Sequence, residues 1–200
     1  MTFPLPSRLL FIRHGETEWN LAGRLQGQKD IPLNPRGVDQ AAASGRAVRK
    51  LVGDDRALAD YDFIASPLLR TRQTMELARR AMDLPAEGYE TDDRLKELSF
   101  GSWEGLTWRE VSTRVPAMAR ARETDKWGYV PPEGESYATL AERVKPWLRR
   151  ISGDAVVVSH GGVARVLMHM LAGVPPEEAA MADIWQGRLL VFEDGRCRWV

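Results

Sequence analysis

Two short apolar runs, Leu9-Leu10-Phe11-Ile12 and Ala155-Val156-Val157-Val158, constrain this chain more than any other feature. Neither alternates with polar residues, so a strand built from either has no face for water and must be covered on both sides. Tyr61 to Ala65 reads the same way. Segments with apolar residues three and four apart lie between these runs. Strands that alternate with helices imply right-handed crossovers and parallel pairing. The expected fold class is α/β: a three-layer α/β/α arrangement, its sheet mainly parallel and helices on both faces. No repeat, low-complexity tract or linker divides the 200 residues, so a single domain over 1–200 is expected.

Local signals place the elements. Asn34-Pro35 supplies a cap and a first-turn proline for a helix whose buried stripe would be Val38, Ala41, Ala42, Gly45, Val48 and Val52. Leu68 to Met82 has helical spacing and a basic last turn. Thr91 to Leu95 is a weaker third strand, and Lys96 to Thr107 reads as a loop. Trp108 to Glu123 should be helical in two pieces, broken near Pro116. Ser136 can cap a helix carrying Leu140, Val144, Trp147, Leu148 and Ile151, with a kink expected at Pro146. Val163, Val166, Leu167, Met170 and Leu171 mark another helix. Arg188 to Phe192 and Arg196 to Val200 form a hairpin around Asp194-Gly195.

Composition excludes several classes. Lys plus Arg and Asp plus Glu both number 28, so no global field draws the chain to nucleic acid or to an anionic membrane, and neither is expected as a partner. No apolar run is long enough to span a bilayer. The one cysteine, Cys197, cannot close an internal disulfide, and no Cys/His spacing suits a metal. A reducing, cytoplasmic setting is expected, with no metal and no cofactor. Residues 1–7 lack the pattern of a signal peptide and read as a loose arm.

Three strand ends deliver unusual polar residues to one sheet edge: Arg13-His14-Gly15, Ser66 with Arg70, and His160-Gly161-Gly162. Ligands of open α/β sheets bind at that edge. Two histidines and two arginines in one crevice make poor core packing, because unpaired charges there have a large desolvation cost. A bound dianion explains them. A neutral imidazole can attack phosphorus directly while guanidinium groups hold the non-bridging oxygens. An alkoxide leaving group then needs a proton donor, for which a carboxyl group serves.

The segment Arg13-His14-Gly15-Glu16-Thr17-Glu18-Trp19-Asn20 resembles the signature of the histidine phosphatase superfamily, the phosphoglycerate mutase-like group. Further matches follow in order: Gly23 to Gly27 with Asp30 to Leu33, Ser66-Pro67-Leu68-Leu69-Arg70, Leu95 to Gly105, Pro132 to Ser136, and Val158 to Gly162. The resemblance implies a phosphoglycerate mutase-like fold and a small-molecule phosphate ester as substrate. It assigns His14 as nucleophile, Arg13, Arg70 and His160 to the phosphate pocket, and Glu97 as proton donor. Asn20, Gln26, the backbone near Gly27, and Gly161 fall where the family touches phosphate or substrate. Asp92, Asp93 and Glu104 are competing carboxylates in the same region. His14 is expected to face solvent, and His169 to be structural.

Within the group, the mutases usually continue the Glu97 region with Arg and Tyr before the glycine, followed by a basic insertion. This chain reads Glu97-Leu98-Ser99-Phe100-Gly101, which favours hydrolysis by a phosphomonoesterase over a phosphoglycerate mutase. Arg109, Arg114, Arg120, Arg122 and Lys126 populate the segment expected to cap the mouth, beside Trp103 and Trp108, and leave the mutase open. A non-catalytic phospho-ligand binding module is the third alternative. The physiological ester and the oligomeric state, including a homodimer, stay undetermined by sequence.

Overall fold

The computed structural model describes residues 8–53 and 58–200; the expected arm at 1–7 lies outside them. The strands are β1 Leu9–Arg13, β2 Asp62–Ala65, β3 Glu90–Thr91, β4 Ala155–Ser159, β5 Leu189–Glu193 and β6 Arg196–Trp199. They form one sheet in the order β3-β2-β4-β1-β5-β6. The first four in that order are parallel, β5 pairs antiparallel with β1, and β6 pairs antiparallel with β5 at the edge. The sheet is mainly parallel, as its double-sided apolar strands require.

Helices cover both faces. They are α1 Glu18–Leu21, α2 Pro35–Val52, α3 Leu69–Arg80, α4 Trp108–Arg114, α5 Pro116–Thr124, α6 Tyr137–Leu148, α7 Gly161–Ala172 and α8 Pro176–Met181. Alternate strand residues feed two cores. Leu9, Phe11, Val157 and Leu190 pack with Leu140 and Trp147 of α6 and Val163 and Leu167 of α7. Leu10, Ile12, Val156 and Val158 pack with Val48 of α2 and Met75 and Ala78 of α3. Burying each such larger side chain contributes roughly 1.5–3 kcal/mol. The central strands are therefore the stiffest platform available to residues at their ends.

Three local readings change. Val38 is 40% exposed, and the buried face of α2 is Gly37, Ala41, Ser44, Gly45 and Val48. Small residues are needed there because α2 and α3 nearly touch: a Cβ on Gly45 would stand 2.2 Å from Ala78 O. The third strand is only Glu90–Thr91, and the chain then turns into a 3₁₀ segment, Asp93–Leu95, capped by Asp92. Helix α1 was not anticipated; Thr17 and Asn20 form its reciprocal cap. The hairpin forms as expected, with Asp194 and Gly195 at φ 51° and 69°. Among the described residues no helix is long and apolar enough to cross a membrane.

Candidate active site

The sheet ladder continues one residue past its strands and brings the site together. His14 N–H donates to Ser159 O at 2.9 Å, and Ser66 N–H to Val158 O at 3.0 Å. β1, β2 and β4 therefore end level, and the rings of His14 and His160 stand 5.2 Å apart. Gly15 lets the chain leave β1 tightly against α2, since a Cβ there would stand 2.2 Å from Gly37 O.

His14 is only 2% exposed, not solvent-facing as expected. His160 from the end of β4, Arg70 from α3 and Gln186 all approach it, and none of them is near His14 in sequence. Its Nδ1 lies 2.7 Å from Gly15 O; a carbonyl only accepts, so Nδ1 carries the proton and Nε2 keeps its lone pair. Burial, with Arg70 and Arg13 adding, holds the imidazole well below the ordinary histidine range. The ring is neutral at pH 7.

His160 is fully buried and its Nε2 meets Ser66 Oγ at 2.8 Å. Burial, followed by the charge of Arg70, pushes it well below the usual range too. Arg70, at the start of α3, is fully buried and donates from Nη1 to Lys29 O at 2.7 Å and from Nη2 to Gly27 O at 2.8 Å. Its pKa falls to about 10 through burial. Arg13 Nη1 donates to Ile184 O at 2.6 Å. Among the described residues, neither arginine has a carboxylate at ion-pair distance. Arg13 Nε, Arg70 Nε and His160 Nδ1 are buried and have no hydrogen-bond partner. A buried polar atom left without a partner costs about 1–3 kcal/mol, and more where the group is charged, so these three nitrogens are the places in the site best suited to an external partner.

The remaining sequence candidates surround this set. Asn20 Oδ1 accepts from Gln186 Nε2 at 3.1 Å, and the same nitrogen donates to His14 O at 3.1 Å. Gln26 is buried, its Oε1 taking Thr17 Oγ1 at 3.0 Å. Gly27 presents its carbonyl to Arg70, and Gly161 opens α7 beside Arg13. Gln186 was missed by sequence reasoning, as was Arg143, described next.

Glu97 Oε1 accepts from Leu98 N–H at 2.9 Å and from Gly162 N–H at 3.0 Å, on the first turn of α7. Helix N-termini favour carboxylates through their free N–H groups. Arg143 of α6 anchors this loop: it holds both Glu135 oxygens and donates to the carbonyls of Arg94, Lys96 and Glu97. The rival carboxylates are engaged elsewhere. Asp92 pairs with Arg94, Asp93 with Lys96, and Glu104 Oε1 accepts from Gln28 N–H, Ser99 Oγ and Phe100 N–H.

The mouth differs from expectation. Trp103 is 3% exposed and stacks on Tyr129 in a small core of its own, so it does not line an opening. Arg109, Arg114 and Arg120 face outward, whereas Arg122 is buried and Lys126 half-buried. His169 bonds Val174 O, a structural role. A cleft of about 580 Å³ lined by Tyr61, Phe63, Tyr89 and Trp147 opens beside the start of β2, away from the strand ends that carry the histidines. Among the described residues no cluster of His, Cys, Asp and Glu could hold a metal.

Such a sheet, with paired histidines and unpaired guanidinium nitrogens at its parallel edge, is that of an α/β enzyme whose chemistry belongs at the strand ends. Residues 9–200 match the histidine phosphatase superfamily (branch 1), and the chain belongs to that family. It is similar to the metal-independent phosphoserine phosphatase of Arabidopsis thaliana, with 36% identity over 167 residues, 80% of this chain and 67% of that one. A mycobacterial glucosyl-3-phosphoglycerate phosphatase, solved with VO3, superposes with a TM-score of 0.77 at 25% identity, covering 96% of each chain. A phosphoglycerate mutase from Thermus thermophilus gives a TM-score of 0.71 at 30% identity, again over 96% of both chains.

Proposed function

We propose that this chain, acting as one domain, is a phosphomonoester hydrolase of small phosphorylated metabolites that works through a covalent phosphohistidine at His14. The observation that carries the reading is the trio of buried, partnerless nitrogens on Arg13, Arg70 and His160 around a neutral imidazole. A phosphoryl group supplies the acceptors these atoms lack.

The steps follow from the atoms present. His14 Nε2 attacks phosphorus as the ester P–O bond breaks, while Arg13, Arg70 and His160 stabilise the equatorial oxygens. Glu97 gives a proton to the departing alcohol oxygen. Both backbone N–H groups point at Oε1, so that proton rides on Oε2. The resulting carboxylate then takes a proton from water, whose oxygen attacks the phosphohistidine. Inorganic phosphate leaves and neutral His14 is restored. Asn20, Gln26, Gly27 and Gly161 border the transferred group in this scheme.

The test is to mix the protein with p-nitrophenyl phosphate, quench in base and look for acid-labile phosphate on His14. Phosphate is expected there, and turnover is expected to vanish in His14→Ala. Turnover surviving that substitution would sink the reading. The similarity to a mutase structure keeps phosphoryl transfer between hydroxyls as a second reading. Conversion of 3-phosphoglycerate to 2-phosphoglycerate with a bisphosphorylated primer, faster than phosphate release, would favour it.

A further inference from the structure

The segment that joins α8 to β5 is tied to the site on both sides of Gln186. Ile184 O accepts Arg13 Nη1 at 2.6 Å. Gln186 Nε2 donates to His14 O and to Asn20 Oδ1, each at 3.1 Å. Gly187, at φ 75°, lies so close to Gln40 that a Cβ on it would stand 3.1 Å from Gln40 Cγ. Gln40 Oε1 in turn accepts the N–H of Glu16 at 2.8 Å. Gln186 is thus held between anchored neighbours, although Trp185 beside it is 44% exposed.

Which way each amide faces follows from neighbours that can play only one role. The backbone N–H of Thr17 stands 3.1 Å from one arm of the Asn20 amide, and an N–H only donates, so that arm is Oδ1. The same oxygen meets Gln186, so the arm of Gln186 that reaches it is the nitrogen. The carbonyl of His14, which only accepts, makes the same demand of that nitrogen. Nδ2 is then the opposite arm of a planar group, and among the described residues it has no hydrogen-bond partner. The cap of α1 and Gln186 together leave Asn20 one donor to spend.

Resting on the hydrolase reading above, we infer that Gln186 is a positioning residue: it locks the Asn20 amide with Nδ2 turned to the transferred phosphoryl group, and through one nitrogen it joins that amide to the backbone of the nucleophile. Asn20 then meets a phosphoryl oxygen as a donor without first having to rotate. Preorganised donors of this kind need no rearrangement as charge develops.

The experiment follows kcat/KM on p-nitrophenyl phosphate from about pH 5 to about pH 8 in Gln186→Met, which keeps the length and has no donor, and in Gln186→Glu, which puts acceptors where the donors stood. At the upper pH each should lose about 10–100-fold, the worth of one hydrogen bond to a charged group. A carboxyl facing two acceptors takes up its proton above the ordinary value of about 4.3 and can then donate again. The ratio of Gln186→Glu to wild type should therefore rise as pH falls, while that of Gln186→Met stays flat. In an Asn20→Ala background both substitutions should change kcat/KM by no more than about two-fold, because the group they disturb is gone. Plain repulsion of the substrate by an added carboxylate would persist in that background. Full activity in Gln186→Met, or equal losses with and without Asn20, overturns the assignment; should Gln186→Met not fold, a flat pH ratio for Gln186→Glu does so alone. Failure of wild type to hydrolyse p-nitrophenyl phosphate would instead overturn the hydrolase reading beneath it.

Discussion

Glu97 Oε1 accepts the backbone N–H of Gly162 at 3.0 Å, which ties the loop after β3 to the first turn of the helix that His160 begins. The contact depends on the glycine: a Cβ on Gly162 would stand 2.3 Å from that same oxygen. Gly162→Ala should therefore displace the carboxylate while helix propensity, worth up to about 1 kcal/mol, favours the alanine. With Leu98 and Leu140 also crowding that Cβ at 3.3 Å, the expected outcome is a small change in melting temperature with kcat on alkyl phosphates lowered about ten-fold or more. Undiminished kcat would show that Glu97 does not need this anchor.

Replacing the carboxyl itself separates leaving groups. Glu97→Gln should slow esters of simple alcohols by about 10²–10⁴-fold, yet slow p-nitrophenyl phosphate far less, because only the former require a proton as the P–O bond breaks. Plotting log kcat/KM against leaving-group pKa should give a steeper slope for the variant. Parallel lines would assign the donor elsewhere.

Arg143 acts on the same carboxyl from behind. Its planar fork takes both Glu135 oxygens and three backbone carbonyls, a geometry lysine cannot reproduce. Arg143→Lys should cost about 2 kcal/mol of stability from the lost charged hydrogen bonds. It should also steepen the leaving-group slope as Glu97→Gln does, while KM for p-nitrophenyl phosphate stays nearly constant. A stability loss with an unchanged slope would leave Arg143 a purely structural role.

Acid should loosen the fold. His14 and His160 resist protonation when folded, chiefly through burial, whereas in the unfolded chain each titrates near 6.5. Below that pH the unfolded state binds more protons, so their stabilising contribution is complete above about 6.5 and is lost as pH falls, by up to about 1.4 kcal/mol per unit for each histidine. Urea midpoints at pH 7.5 and 5.5 should differ more for wild type than for His14→Asn/His160→Asn. Equal differences would mean that the two rings do not set the acid limb.

Much of this could be read from the chain because the site sits where strong local signals end. The apolar runs at β1 and β4 fixed both strands, and the ladder that continues past them to His14 and Ser66 follows from parallel pairing. What escaped depends on distance in three dimensions. Val38 has the right spacing for a buried stripe, but the close approach at Gly45 turns α2 toward its small residues instead. Trp103 was placed at the mouth by its nearness to Glu97 in sequence, yet its aromatic neighbours Trp108 and Tyr129 draw it into a separate core. Gln186 and Arg143 act through backbone carbonyls, and a carbonyl has no side-chain signature. Of the five mouth cations, only packing distinguishes the inward Arg122 and Lys126 from the rest.

Arg70 spends its two terminal nitrogens on the carbonyls of Gly27 and Lys29 and keeps Nε for the crevice. One planar group thus fastens the loop with its outer edge and greets the anion with its inner one. On the proposed function, released phosphate should tighten the chain around itself: the product is expected to double as an inhibitor and as a protectant against heat and proteases.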